Sequence, residues 1–466
     1  MANEVHNAFL DAPAKKKTFS LLALYIGFVA SILVSATQST MLPVAAAEIG
    51  GSEFYTLVST LSGVVGVMLL PLYGYISARN PAVKGRLMGI SFLINAGVFL
   101  SRAFVTNMWQ IIIPGMLYGL IPPSVYVLGY SYIKDIYDSK KAAYYLGFSA
   151  TMVSIGQLVG PALGGVIMDA GSWRMVNHMI WPLFLAAGVC ALLGVNVRKE
   201  DVRELARNAK FDFWGAISLT LCLASITLAL SLISSFAPFG STLSNVLLVV
   251  FAISLVSFIC SVIKMKDQAF LPLGVLRDRN TLAMTGAQLF VNMHTMSTII
   301  FLPMVVLYVM GQSATMSSLT TSAYAVAGLV MGPIFGKWIA KRGTVKPLHI
   351  ASTLLRLAIT VAYALILGPN CSVYVILVLQ LVSGLYNSAN SVVFSVGPQV
   401  MLKEEVRVQG NSVIQTVQTV GSTLSIAIYT MVIGFAGMGG INLIFWLASA
   451  FAALNLICTL FIRKEG

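Results

Sequence analysis

Stretches of about 20 apolar residues, nearly free of charge, recur from one end of this chain to the other. Laid out as helix, a block of that length crosses a hydrocarbon layer of roughly 30 Å. Inside such a layer every backbone N–H and C=O needs a partner, which leaves helices or closed barrels. Barrel strands alternate in polarity over about 10 residues. These blocks are longer and continuous, so they read as helices. Charge usage agrees: 10% of the 466 residues are charged and 58% are hydrophobic, whereas a soluble domain carries about 25% charged residues. So few charges cannot cover a water-soluble fold of this size.

Spans are expected near 19–45, 54–78, 87–104, 108–133, 142–168, 175–196, 212–235 and 243–263, then near 281–309, 317–339, 347–367, 372–396, 410–434 and 440–462. The first follows Lys15, Lys16 and Lys17 and is too long for a signal-peptide core of 7–15 residues, so it reads as a retained helix. This division is tested by charge, because Lys and Arg gather on the cytoplasmic side. With the N-terminus inside, the inner loops hold Arg79, Lys84 and Arg86, Lys134 to Lys141, Arg198 to Lys210, Lys264 to Arg279, Lys337 to Lys346, Lys403 and Arg407, and finally Arg463 and Lys464. Only Arg102 and Arg174 fall outside. A missed helix would invert every later loop. The expectation is an all-α, multi-pass protein of the cytoplasmic (plasma) membrane with fourteen transmembrane helices and both termini in the cytoplasm.

The net charge of +13 raises nucleic acid as a partner. The basic residues, however, stand in short clusters between apolar blocks, the pattern of topology signals, and nucleic acid is set aside. The five cysteines are odd in number and form no CxxC pair, so neither a disulfide framework nor a zinc site is expected. No HExxH, GxSxG or P-loop motif appears, and neither enzymatic activity nor a cofactor or metal is expected.

Two segments resemble each other. PLYGYISAR, Pro71 to Arg79, ends the second span, and PIFGKWIAKR, Pro333 to Arg342, ends the tenth. Both are second members of a six-helix set only if two spans intervene. The chain then divides into a tail over 1–18, a six-helix bundle over 19–196, a cytoplasmic linker over 197–210, an inserted pair over 211–266 and a second six-helix bundle over 267–466. Repeated bundles of this kind place a substrate site between the halves.

GYISARNPAVKGR, Gly74 to Arg86, resembles the loop between helices two and three of the major facilitator superfamily, with Gly74, Arg79, Gly85 and Arg86 matching and Ala78 standing where the family has Asp. GQLVGPALGG, Gly156 to Gly165, resembles the antiporter signature of its fourteen-helix drug:proton antiporter-2 branch, through Gly160, Pro161, Gly164 and Gly165. SWRMVNHMIWP, FDFWGAI at Phe211 and FLPLGVLRDRN at Phe270 resemble further family segments. The resemblance covers about 19–462 and implies a major facilitator fold of two six-helix bundles plus an inserted hairpin, alternating access, and conformational roles for Gly74, Arg79, Arg86, Gly156, Gly160, Pro161, Gly164 and Gly165. Apart from any family, small residues let helices approach closely and Pro161 bends its helix. Tight packing alone accounts for the same pattern.

No Asp or Glu falls near the middle of a span. The family's acid in helix one aligns with Val34, and its arginine in helix four with Gly115. At depth the chain instead carries Arg356 and His294. An intramembrane charge marks a functional site by default, though arginine also snorkels. His294 is the proton-coupling candidate, or a hydrogen-bonded packing residue. Gln38, Tyr126, Tyr130, Asn292, His294, Arg356, Tyr386, Asn387, Asn390 and Gln415 form the candidate substrate site, with interhelical hydrogen bonding as the alternative for any one of them. The expected function is secondary active transport of a small organic anion by alternating access, in the family's range an amphipathic, bile-acid-like carboxylate; the alternative is a proton-coupled multidrug efflux antiporter. A monomer in the lipid bilayer, with a coupling proton, is expected.

Overall fold

The computed structural model describes residues 8–52, 54–137, 141, 145, 156, 159–197, 212–233, 237–266, 269–342 and 344–463. The expected linker from Arg198 to Lys210 and most of the first half of the fifth span lie outside the described residues. Among those described, the first half contains α1 (Ala14–Ile49), α2 (Thr56–Arg79), α3 (Lys84–Arg102), α4 (Trp109–Ile136), α5 (Val159–Ala170) and α6 (Trp173–Leu193). The pair α7 (Phe213–Leu232) and α8 (Thr242–Met265) follows. The second half contains α9 (Arg279–Val309), α10 (Ala314–Arg342), α11 (Lys346–Ile366), α12 (Val373–Met401), α13 (Glu404–Ala436) and α14 (Ile441–Leu460).

Twelve candidate spans among the described residues are long and apolar enough to cross a membrane. The described stretch of α5 is shorter, and α10 stands outside that set although it runs for 29 residues. The expected count of fourteen is therefore met only as twelve by length and composition. Helix α1 begins at Ala14, ahead of the expected 19, because Pro13 precedes a run of good helix formers, Ala14 to Lys17.

The two halves repeat one packing plan. The first helix of each lies on the sixth, α1 on α6 and α9 on α14. The third lies on the sixth, α3 on α6 and α11 on α14, and the second on the fourth, α2 on α4 and α10 on α12. Helices α2 and α13 meet across the halves, and α7 and α8 pack on each other while α7 leans on both. Two helices depart from regular geometry where proline removes a backbone donor. In α4, Pro114, Pro122 and Pro123 accompany a tightened turn over Met116–Leu120 and a widened one over Pro123–Gly129. In α9, Pro303 separates widened turns at Ser297–Phe301 and Val305–Val309.

Side chains fix the helix starts. Asp212, 4% exposed, accepts from Gly215 N (2.7 Å), Ser261 Oγ (2.6 Å) and Phe270 N (3.0 Å), tying the start of α7 to α8 and to the entry of the second half. Asp278 caps α9 through Thr281 N at 2.8 Å. Lys84 pairs with Asp135 at 2.5 Å, binding the start of α3 to the end of α4. These contacts lie on the face that carries the start of α1 and the end of α14, called the terminal face. The opposite face holds the ends of α1 and α9 and the start of α10, and is called the far face.

Candidate functional site

Between the halves lies a cavity of about 510 Å³, within the roughly 300–1,000 Å³ typical of ligand sites. Helix α1 brings Ser31, Ile32, Ser35 and Ala36 to it, and α4 brings Tyr126. The second half contributes Gln288, Val291, Asn292 and Thr295 from α9, Thr321 and Tyr324 from α10, Asn387, Asn390 and Ser391 from α12, and Gln415, Gln418 and Ser422 from α13. Among the described residues lining it there is no Asp, Glu, Lys, Arg or His. Several of its polar atoms have no hydrogen-bond partner: Asn390 Nδ2, Thr321 Oγ1, Tyr324 OH and Gln288 Oε1. The Thr321 and Tyr324 hydroxyls can donate or accept, Asn390 Nδ2 only donates and Gln288 Oε1 only accepts. Buried polar groups are nearly always paired, and these atoms lie within the wall, each with almost no surface open to the cavity.

Of the ten candidate substrate residues, Tyr126, Asn292, Asn387, Asn390 and Gln415 line this cavity. The other five do not. Gln38 is buried in α1 with Nε2 unpartnered. Tyr130 packs on Phe28 and Tyr126, with ring centroids 5.8 and 5.9 Å away. His294, Arg356 and Tyr386 form a layer behind the wall, His294 and Arg356 being wholly enclosed (0% exposed). Arg356 Nη1 donates to Val291 O (3.0 Å) and to His294 Nδ1 (3.2 Å), and its guanidinium sits 4.7 Å over the Tyr386 ring. His294 Nε2 then donates to Thr360 Oγ1 at 2.6 Å, since that hydroxyl gives its own proton to Arg356 O. Both imidazole nitrogens are thus engaged. In this structure His294 and Arg356 do not line the cavity: the rotation of α9 and α11 turns them toward each other. Arg356 still reaches the cavity indirectly, because Val291 lines it and accepts the guanidinium's hydrogen bond.

Another charge sits where the sequence did not place it. Arg102, assigned outside, is fully buried in the first half, 4.6 Å from the Phe99 ring, with Nε, Nη1 and Nη2 unpartnered. Its Nη2 stands 2.6 Å from where a Cβ on Gly115 would be. The space in front of the position at which the resemblance expects an arginine is thus filled by the guanidinium of Arg102 from α3.

The signature glycines have direct steric roles. A Cβ on Gly156 would stand 2.6 Å from Ile32 Cγ2, and one on Gly160 would stand 3.1 Å from Ala36 Cβ. One on Gly164 would overlap Thr37 Cγ2. Three glycines four residues apart therefore seat α5 on α1. Gly165 faces the other way: its Cβ would meet Ala314 O and Thr315 Cα of α10, both at 2.8 Å, across the halves. Pro161 is buried between them. In the loop segment, Gly74 lies against Val127, Arg79 donates to Tyr75 OH at 2.7 Å, and Arg79 and Arg86 are exposed on the terminal face.

Sequence reasoning missed Ser31, Ser35, Thr295, Thr321, Tyr324 and Ser391 as cavity residues. The usable signal was the i, i+4 spacing of Ser31 and Ser35, which puts both hydroxyls on one face of α1. Short hydroxyls in helices commonly bond back to the preceding turn, as Ser35 does to Ser31 O at 3.1 Å, which hides the signal.

Comparison with known proteins agrees with the architecture. The chain is similar to the MFS-type transporter gkaD of Penicillium citrinum, 25% identical over 74% of this chain and 60% of that one. It is similar to the multidrug transporter protein MdtP of Bacillus subtilis, 23% identical over 74% and 62%. It is also similar to multidrug resistance protein 3 of the same bacterium, 24% identical over 89% and 80%. The first two alignments thus span under two thirds of those relatives' length. In fold it resembles the peptide transporter POT solved with sulfate, with a TM-score of 0.68 at 10% identity over 96% of each chain. Residues 24–293, more than half of the chain, match the Major Facilitator Superfamily. A multi-pass helical protein with two like-packed halves around a central cavity, this chain belongs to the Major Facilitator Superfamily.

Proposed function

We propose that this protein is a secondary active transporter of a small organic anion, such as an amphipathic carboxylate, bound in the cavity between its halves. The observation that carries this reading is the charge of the cavity. Its described lining has no acid and is rich in amides and hydroxyls, and Arg356, with no acid paired to it among the described residues, stands directly behind Val291 and Thr295. A cation entering there would lose hydration without a counter-charge. A carboxylate would gain hydrogen bonds from amides and hydroxyls, and charge-assisted bonds are the stronger ones. In this reading the chain crosses the plasma membrane fourteen times, as the twelve apolar spans plus α5 and α10, with both termini cytoplasmic. It works as a monomer with a coupling proton.

A second reading, multidrug efflux, is favoured by the names of MdtP and multidrug resistance protein 3. One experiment separates the two. In proteoliposomes with imposed pH and voltage gradients, transport of a bile-acid-like carboxylate and of ethidium is measured in the same vesicles. Saturable carboxylate transport that ethidium does not inhibit supports the anion reading. Saturable ethidium transport without carboxylate transport replaces it with the second.

A further inference from the structure

A second cavity opens on the far face. Its volume is about 490 Å³, again within the roughly 300–1,000 Å³ typical of ligand sites. Pro43 of α1 and Phe301 and Met304 of α9 form its buried floor, and Ser52, Tyr308 and Gly437 stand exposed at its rim. Tyr55 and Thr56 wall it from the first half, Thr430 and Ile433 from the second. Two hydrogen bonds that join the halves run between its own lining residues: Thr56 to Thr430 at 2.9 Å, and Tyr55 OH to Met304 Sδ at 2.6 Å.

This cavity is separate from the central one. No described residue lines both. Pro43 lies seven positions beyond Ala36 on α1, about 10 Å along the helix axis. The layer between the cavities is packed: Ser318 bonds Thr40 at 3.2 Å, and the Tyr429 ring meets that of Phe301 at 5.4 Å.

We propose that the far cavity is a second binding site, which takes an uncharged small molecule of aromatic or hydrocarbon character and so holds the far face closed. The lining selects this class. Among its described residues there is no Asp, Glu, Lys, Arg or His. The hydroxyls of Tyr55, Thr56 and Thr430 are engaged with Met304 and with each other. A charged group entering there would lose hydration with little return. The rings of Tyr55, Phe301 and Tyr308 and the soft thioether of Met304 instead suit an aromatic guest. The central cavity, lined with amides and hydroxyls, suits a polar one. The closing effect follows from linkage. The far cavity has walls from both halves, so it exists only while they stand together on that face. A molecule that binds the closed form and not the open one shifts the protein toward the closed form. It therefore inhibits transport without entering the central cavity. The proposal rests on alternating access and not on the charge of the cargo, so it stands or falls separately from the anion reading.

Photolabelling with tritiated benzophenone, an uncharged diaryl ketone, tests it without any substrate. On irradiation the ketone oxygen takes a hydrogen atom from a nearby C–H bond, and the two carbon radicals join in a new C–C bond. In wild-type protein in proteoliposomes, label should collect on the peptides that carry Tyr55, Met304 and Ile433. Excess diphenylmethane, which has the shape but no carbonyl, should lower that label at least about tenfold. Helix α8, which is mostly exposed, gives the background label that diphenylmethane does not displace. Ile433→Trp, which fills the cavity, should lose the far-face label and keep that on α8. With cargo supplied at the terminal face, diphenylmethane at the same concentrations should slow wild-type transport to an extent that more cargo does not restore. Far-face label no more displaceable than that on α8 overturns the proposal, and that arm needs neither a variant nor a known cargo. Far-face label retained in Ile433→Trp, or inhibition that excess cargo relieves, overturns it as well.

Discussion

The seating of α5 on α1 permits a worked test. In Gly164→Ala the added methyl overlaps Thr37 Cγ2 and stands 3.1 Å from Thr37 Cβ. Thr37 cannot simply rotate away, because its Oγ1 donates to Leu33 O at 2.7 Å. Either that bond breaks or α5 moves off α1. Overpacking of this kind costs about 1–3 kcal/mol, while alanine in place of glycine returns up to about 1 kcal/mol of helix propensity. The propensity part is measured alone at Gly97, on the exposed side of α3, where a Cβ would meet nothing within 4 Å. The difference between Gly164→Ala and Gly97→Ala is therefore the overpacking cost, about 1–3 kcal/mol. At roughly 2–4 °C per kcal/mol for a body of 150–250 residues, this is readable in a thermal melt of the purified protein. Thr37→Ser removes Cγ2 and keeps the hydroxyl, so the double variant Thr37→Ser/Gly164→Ala should recover most of the loss, with a coupling of about 0.5–3 kcal/mol. If Gly164→Ala melts like Gly97→Ala, or if the two substitutions add without coupling, the steric account of the signature is wrong.

Larger substitutions at the same seat should act on transport. Gly160→Leu and Gly164→Leu should reach the membrane yet transport at a small fraction of the wild-type rate; full activity would show that close approach of α5 is dispensable. Arg356→Gln should lower thermal stability by about 1–3 kcal/mol, since it leaves His294 Nδ1 without its donor, and should weaken carboxylate transport more than transport of an uncharged analogue, measured as KM. Asp212→Ala should cost about 1–2 kcal/mol in a melt, because three donors lose their acceptor at the start of α7.

Much of the fold is written in the sequence at the level of periodic apolar blocks. Depth along a helix is readable at about 1.5 Å per residue, which is how His294 and Arg356 were placed in the interior. Rotation about the axis is not readable in helices that are apolar all round. Asn387 and Asn390 face the cavity while Tyr386, beside them, faces Arg356. On α1 the sequence points to Gln38 as the cavity residue, whereas the face that lines the cavity carries Ser31 and Ser35. Arg102 was assigned outside because it sits where an apolar block ends; its burial depends on the space that Gly115 leaves on α4. Asp169 at the end of α5 accepts from Ala314 N and Thr315 N of α10, and this pairing was invisible for a different reason: the partners lie 145 and 146 residues away, and nothing local announces it.

The central proposal is that the cavity takes anions because its described lining holds no acid. Asn390→Asp tests it most directly, since it is nearly isosteric and places one carboxylate among the residues that line the cavity. In proteoliposomes, the variant's carboxylate transport should fall by at least about tenfold, the effect of roughly 1.4 kcal/mol of like-charge repulsion, and saturable transport of ethidium should appear. Undiminished carboxylate transport in Asn390→Asp, or saturable ethidium transport by the wild-type protein without carboxylate transport, would contradict the account.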